Sequence, residues 1–227
     1  MSDSGLSGRL AAVRTVIAER QRAGGWQHPV RIVAVTKTHG PEAVRAAAQA
    51  RLDAVGENRV QEATVKQDAC TDVAIDWHLI GTLQRNKVRQ VVGRFAMIHS
   101  VDRLDLAQEI SQRTGAEQSQ AILVQVNCSG EPQKGGVEPD ALEPLLDGIR
   151  SLSRLELRGL MTMAAFSDDE SVQRPAFARL RALRDTMTSR GFALPELSMG
   201  MSGDFPVAVE EGATLLRLGT VLFGARE

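Results

Sequence analysis

The feature that most restricts how this chain can fold is a repeated alternation of short apolar runs with helical segments. Residues 30–36 open the series with a β-branched run that is apolar on both faces, as in a parallel strand covered by helices. Further strand-like runs fall at 53–55, 76–80, 95–99, 120–126, 155–160, 196–198 and 214–218. Helical segments lie between them at 41–50, 59–70, 84–92, 102–114, 141–152, 170–187 and 205–211. Gly40-Pro41 places a proline in a first helical turn. Asp102 and Asp204 read as N-caps, and Asn58 is a candidate cap for the helix from Arg59. Pro144 is tolerable only if its helix starts near Ala141. Ahead of the series, Leu6, Leu10, Val13 and Ile17 recur at helical spacing, and Gly24-Gly25 ends that helix. Eight such units imply an α/β fold, a single (β/α)8 TIM-type barrel with residues 1–24 as an extra N-terminal helix packed on it. An open doubly wound sheet fits less well, because no glycine-rich dinucleotide turn follows the first strand. No composition break interrupts residues 1–227, which read as one domain.

Composition removes several classes of function. A formal net charge of −1 gives no bulk attraction to nucleic acid or an anionic membrane. Aromatic residues, at 4%, are too sparse for a base-stacking platform. No apolar run is long enough to span a bilayer, and the opening residues lack the pattern of a signal peptide. Cys70 and Cys128 are far apart and unpaired in pattern, which suits a reducing cytosol. The four histidines show no ligand spacing, so no metal site is expected. A cytoplasmic monomer is the expectation.

In a β/α barrel the chemistry sits on the loops leaving the C-terminal ends of the strands. Lys37 stands after the first strand, where desolvation would disfavour the ammonium and leave an amine able to attack an aldehyde; snorkelling to solvent is the alternative. Ser202, before a helix start, and Gly219-Thr220, after the eighth strand, supply hydroxyls and accessible backbone amides for a phosphate, although plain turns use the same residues. Arg217 is a charge in an apolar last strand and needs a partner, either a carboxylate or the ring nitrogen of a bound heterocycle. His78 lies in the third strand and Asn58 follows the second; each has a structural role as good as a binding one.

Several segments together resemble the pyridoxal phosphate homeostasis protein family. They are Val33 to Thr38 (VAVTKT), Gly56 to Glu62 (GENRVQE), Trp77 to Lys87 (WHLIGTLQRNK), Arg158 to Met163 (RGLMTM), Leu197 to Asp204 (LSMGMSGD) and Arg217 to Arg226 (RLGTVLFGAR). The resemblance runs nearly end to end, and the family is similar to the N-terminal barrel domain of alanine racemases. It implies that Lys37 forms an imine with pyridoxal 5′-phosphate. It further implies that Ser202, Gly219 and Thr220 cradle the phosphate and that Arg217 faces the pyridine nitrogen. Asn58, His78 and Met161 match positions lining the ring pocket. Thr36 stands where serine is common and keeps the hydroxyl, and His39-Gly40 replaces a stretch that varies in the family.

An arginine at the pyridine nitrogen cannot accept its proton, which weakens the ring as an electron sink. Alanine racemases use a tyrosine and an added β-domain on the opposite face; this chain has no tyrosine and no residues left for that domain. The expectation is therefore a carrier or regulator of the cofactor, delivering it to apo-enzymes. An imine-forming enzyme, whether a weak amino-acid racemase or an aldolase-type lyase, is the alternative. Lys134, in Gln133 to Gly136, is left open between a site contact and a surface loop.

Overall fold

Eight short parallel strands close on themselves: β1 Arg31–Val35, β2 Ala54–Glu57, β3 Asp76–Leu79, β4 Met97–Val101, β5 Gln120–Gln125, β6 Leu155–Met161, β7 Glu196–Ser198 and β8 Leu215–Leu218. The ring is completed by β8 pairing with β1, with Ile32 opposite Leu216 and Val33 opposite Arg217. This is a computed structural model that describes residues 3–224. Met1, Ser2 and residues 225–227, which include the end of the C-terminal motif, lie outside the described residues.

The helices are α1 Asp3–Gly24, α2 Pro41–Gln49, α3 Val60–Ala69, α4 Leu104–Arg113, α5 Leu142–Arg150, α6 Glu170–Ser189, α7 Phe205–Glu210 and α8 Thr220–Phe223. Alternate strand residues face opposite ways, so all strands but β3 and β7 feed two apolar cores. Val33, Ala54, Met97, Leu123, Met161 and Leu215 fill the barrel interior. Ala34, Val55, Ile98, Val124 and Leu216 pack with the surrounding helices in a much larger outer core. Gly159 has φ +154, and a Cβ there would lie 2.0 Å from the Glu196 carbonyl oxygen, so the pairing of β6 with its neighbours depends on this glycine. The extra N-terminal helix is present. Leu6, Leu10, Val13 and Ile17 are buried, and Arg9 Nε donates to the Leu222 carbonyl at 2.6 Å.

Some local expectations are corrected. Residues 84–92 form only a 3-10 turn, Arg85–Gln90, in which Val88 alone is buried; a segment this polar has no apolar stripe to hold a longer helix. Asn58 does not cap α3: Arg59 occupies the N-cap and makes no side-chain cap bond. Asp102 bonds Arg103 at 2.7 Å, and α4 starts at Leu104 with Arg103 in the cap position. Asp204 is the N-cap residue of α7, but its carboxylate accepts from the Met201 amide at 2.5 Å rather than from the helix. Pro144 is the third residue of α5, where it is tolerated. The sequence reading missed α8. No helix among the described residues is long and apolar enough to cross a membrane.

Candidate functional site

A pocket of about 720 Å³ opens at the C-terminal end of the barrel. Lys37, Asn58, Ser202, Arg217, Gly219 and Thr220 all line it. They come from the loops after β1, β2, β7 and β8 and from β8 itself, so closure of the barrel brings them together.

Lys37 is the second residue past β1. The chain turns there, with the His39 amide donating to the Thr36 carbonyl at 3.0 Å, and Thr38 takes φ +67. The burial expected of Lys37 is not found: Thr36 is fully buried but Lys37 is exposed, because the turn carries it off the strand. Its amine has no hydrogen-bond or ion-pair partner among the described residues and faces the open pocket.

The loops after β7 and β8 are joined by one hydroxyl. Ser202 Oγ accepts from the amides of Gly219 and Val221, both at 3.2 Å. Asp204 fixes the same stretch: its carboxylate accepts from the Met201 amide, and its own amide donates to the Met201 carbonyl at 3.1 Å. The amides of Ser202, Gly203 and Thr220 have no partner among the described residues, and all three residues line the pocket. With the Thr220 hydroxyl, they form a donor-rich corner. On the opposite wall, a Cβ at Gly81 would lie 2.2 Å from the Asn58 carbonyl oxygen, so glycine is what lets the loop after β3 lie against Asn58.

Arg217 is only 4% exposed and projects into the barrel beneath this corner. Its Nη1 donates to Ser198 Oγ at 2.7 Å and its Nη2 to the Thr162 carbonyl at 2.8 Å. No carboxylate forms an ion pair with it among the described residues, so the carboxylate partner considered from sequence is absent. Burial lowers its pKa to about 10, partly offset by Asp204, which still leaves it charged near neutrality.

His78 and Met161 do not line the pocket. His78 ends a hydrogen-bonded chain below it: Ser198 Oγ lies 2.9 Å from His99 Nδ1, and His99 Nε2 lies 3.0 Å from His78 Nδ1. Burial depresses the pKa of His78 to about 4 and that of His99 well below the usual histidine range, so both rings are neutral near pH 7. Met161 belongs to the interior core, and Met163 lines the pocket instead.

The sequence reading missed several lining residues. Met163 to Asp168 form a lip whose Phe166 is 98% exposed, and no periodicity marks that loop. Lys134, left open from sequence, lines the pocket; its carbonyl accepts from Gln125 Nε2 at 2.8 Å. No cluster of three or more histidine, cysteine, aspartate or glutamate residues suited to a metal occurs among the described residues.

The donor set suits a phosphorylated aldehyde heterocycle. An unpartnered amine, unpartnered amides beside hydroxyls, and a buried cation without a counterion meet in one cavity of ordinary ligand size. Fold and site together define a barrel of the alanine racemase type. The family described as alanine racemase, N-terminal domain, matches residues 10–227. Alanine racemase from Clostridium difficile shares the fold at a TM-score of 0.77 with 14% identity, matching 98% of this chain and 56% of that one. More similar are two proteins named pyridoxal phosphate homeostasis protein. The one from Aquifex aeolicus is 44% identical over 209 residues, covering 91% of this chain and 92% of its own. The one from Pseudomonas aeruginosa is 42% identical over 226 residues, covering 99% and 97%. The structure of PipY from Synechococcus elongatus with PLP bound has a TM-score of 0.84 at 37% identity, covering 96% of this chain and all of that one. This chain belongs to the pyridoxal phosphate homeostasis protein family.

Proposed function

We propose that this protein binds pyridoxal 5′-phosphate and serves its homeostasis, holding the reactive cofactor on Lys37 and releasing it to apo-enzymes in the cytosol. The observation that carries the reading is the convergence on one pocket of an unpartnered amine, a hydroxyl-and-amide corner and a buried, uncompensated Arg217. When bound, the cofactor supplies an electrophilic carbon and a ring that can delocalise electrons.

Each residue has a stated part. Lys37 would hold the cofactor through its amine, which lines the pocket and has no partner among the described residues. Ser202 and Thr220 would hold the phosphate with the unpartnered amides of Ser202, Gly203 and Thr220, in a turn that Gly219 shapes by donating its amide to Ser202 Oγ. Arg217 would face the ring nitrogen as a donor and, with a pKa of about 10, would not take a proton from it. Asn58, on the pocket wall, would line one side of the ring. His78 acts from below, through His99 and Ser198, on the orientation of Arg217, and Met161 supports the floor.

A held cofactor without an acidic partner at the ring nitrogen, in a chain with no tyrosine, suits storage and delivery better than racemization. Borohydride treatment of the purified protein, followed by mass spectrometry, is the test. The mass of the reduced cofactor should appear on Lys37 and vanish in Lys37→Ala. A colourless protein that gains no mass after incubation with pyridoxal phosphate would overturn the reading. Racemization of amino acids at ordinary enzyme rates would overturn the carrier role.

A further inference from the structure

A buried polar group lies directly behind Lys37, between the barrel wall and α3. Glu57, fully buried at the end of β2, accepts at Oε1 from Thr36 Oγ1 and from Lys66 Nζ, both at 2.6 Å. Lys66, on the inner face of α3, also donates to the Thr36 carbonyl at 2.7 Å. That carbonyl is the one that closes the turn carrying Lys37, through the His39 amide at 3.0 Å. The Thr36 amide is held as well, by the Gly56 carbonyl at 3.2 Å. Every polar group of Thr36 is therefore engaged, and Lys37 is the next residue.

Two features mark this arrangement as more than a fold staple. Glu57 Oε2 is buried with no partner, so the pair is incompletely satisfied; a buried ion pair of this kind is poor at adding stability. Just beyond Lys37, Thr38 is held at φ +67, a conformation that a β-branched residue adopts only where its surroundings dictate the backbone. Lys37 thus stands between a clamped residue and a strained one, while its own side chain is open to the pocket.

We propose that Lys66 and Glu57 are positioning residues for Lys37: the buried pair fixes the Thr36 to His39 turn and so presents the amine to an incoming aldehyde. This rests on the cofactor reading above. Lys66 donates and Glu57 accepts without either entering the pocket; the gain is orientation of the nucleophile, the kind of effect that falls steeply with small displacements.

The test follows capture of pyridoxal phosphate by the full chain, as growth of the yellow absorbance band and as mass fixed by borohydride. Lys66→Met should slow capture about 10- to 100-fold, in the range that loss of nucleophile orientation gives. Lys66→Arg, which keeps donors for both Thr36 and Glu57, should restore most of it. Thr38→Gly is the variant whose folding is safe, since glycine adopts positive φ without strain; by loosening the turn it should slow capture several-fold while the melting temperature holds. If the unaltered chain captures cofactor and all three variants match its rate, the positioning role is overturned. If Lys66→Met fails to fold, Thr38→Gly decides alone, with an unchanged rate counting against the proposal. If the unaltered chain captures nothing, the cofactor reading falls and takes this inference with it.

Discussion

Two buried polar networks sit a few residues apart in this barrel, and they are built on opposite principles. Outside the wall, the Lys66 charge is matched by Glu57 and tied to Thr36. Inside, Arg217 has only a hydroxyl and a carbonyl, and the chain beyond it, through Ser198 to His99 and His78, is neutral. Burying an unmatched cation costs free energy that a serine and a peptide oxygen offset only in part. The protein has carboxylates to spare elsewhere, since Arg20, Arg174 and Arg181 all pair with Glu210 or Glu211 near the surface. The contrast teaches that the outer cation finds its counter-charge within the fold, even though Glu57 Oε2 stays unpartnered, whereas the inner arginine is arranged for a partner the fold does not contain.

The comparison can be broken most directly by removing one charge from each network. Lys66→Met should lower stability by about 3–5 kcal/mol in denaturant unfolding, the usual cost of orphaning a buried ion. Arg217→Met should cost much less, about 1 kcal/mol, because loss of an unmatched charge offsets the two bonds it gives up. Equal losses would erase the distinction.

Acid probes the inner network through its histidines. His78 titrates at about 4 in the folded chain, lowered first by burial and then by Arg31, against an ordinary value of 6.5. Between those values the unfolded chain binds a proton that the folded one does not. The stability this ring contributes is therefore constant above about 6.5 and falls as pH drops toward 4, by a total on the order of 3 kcal/mol. Unfolding curves across that window should show the slope, and His78→Gln should reduce it while leaving the part that buried His99 contributes.

Ser198→Ala sharpens the picture of the inner chain, since this hydroxyl serves both Arg217 and His99. A loss of about 1–3 kcal/mol is expected from the groups left unsatisfied. The absorbance band of the loaded protein should shift, because the guanidinium is no longer held in one orientation. The smallest effect is expected at the surface: Arg20→Ala, breaking its partly exposed bond to Glu210, should cost about 0.5 kcal/mol and leave cofactor capture unchanged. A large loss there would mean that charge pairing in this chain matters regardless of burial.

Much of the architecture is legible in the residues themselves. The eight apolar runs, the helices between them and the strand-end positions of Lys37, Ser202 and Thr220 follow from periodicity and from turn chemistry acting over a few residues. The exposure of Lys37 is not legible, because it depends on a turn set by Thr36 and on the left-handed Thr38. Lys66 left a faint trace, a charge spaced with Val60 and Ala63 on the buried face of α3, which sequence reading passes over without knowing what lies opposite.

By itself, then, the sequence determined the kind of barrel and the end of it where chemistry belongs, since both arise from local pattern. Only the tertiary structure decided that Arg217 goes without a carboxylate, that His78 lies below the pocket rather than in its wall, and that Glu57 and Lys66 stand behind Lys37. The reason is physical. A parallel barrel sets side by side residues from strands far apart in the chain, such as His99 and Ser198, and periodicity tells which way a side chain faces but not what it meets.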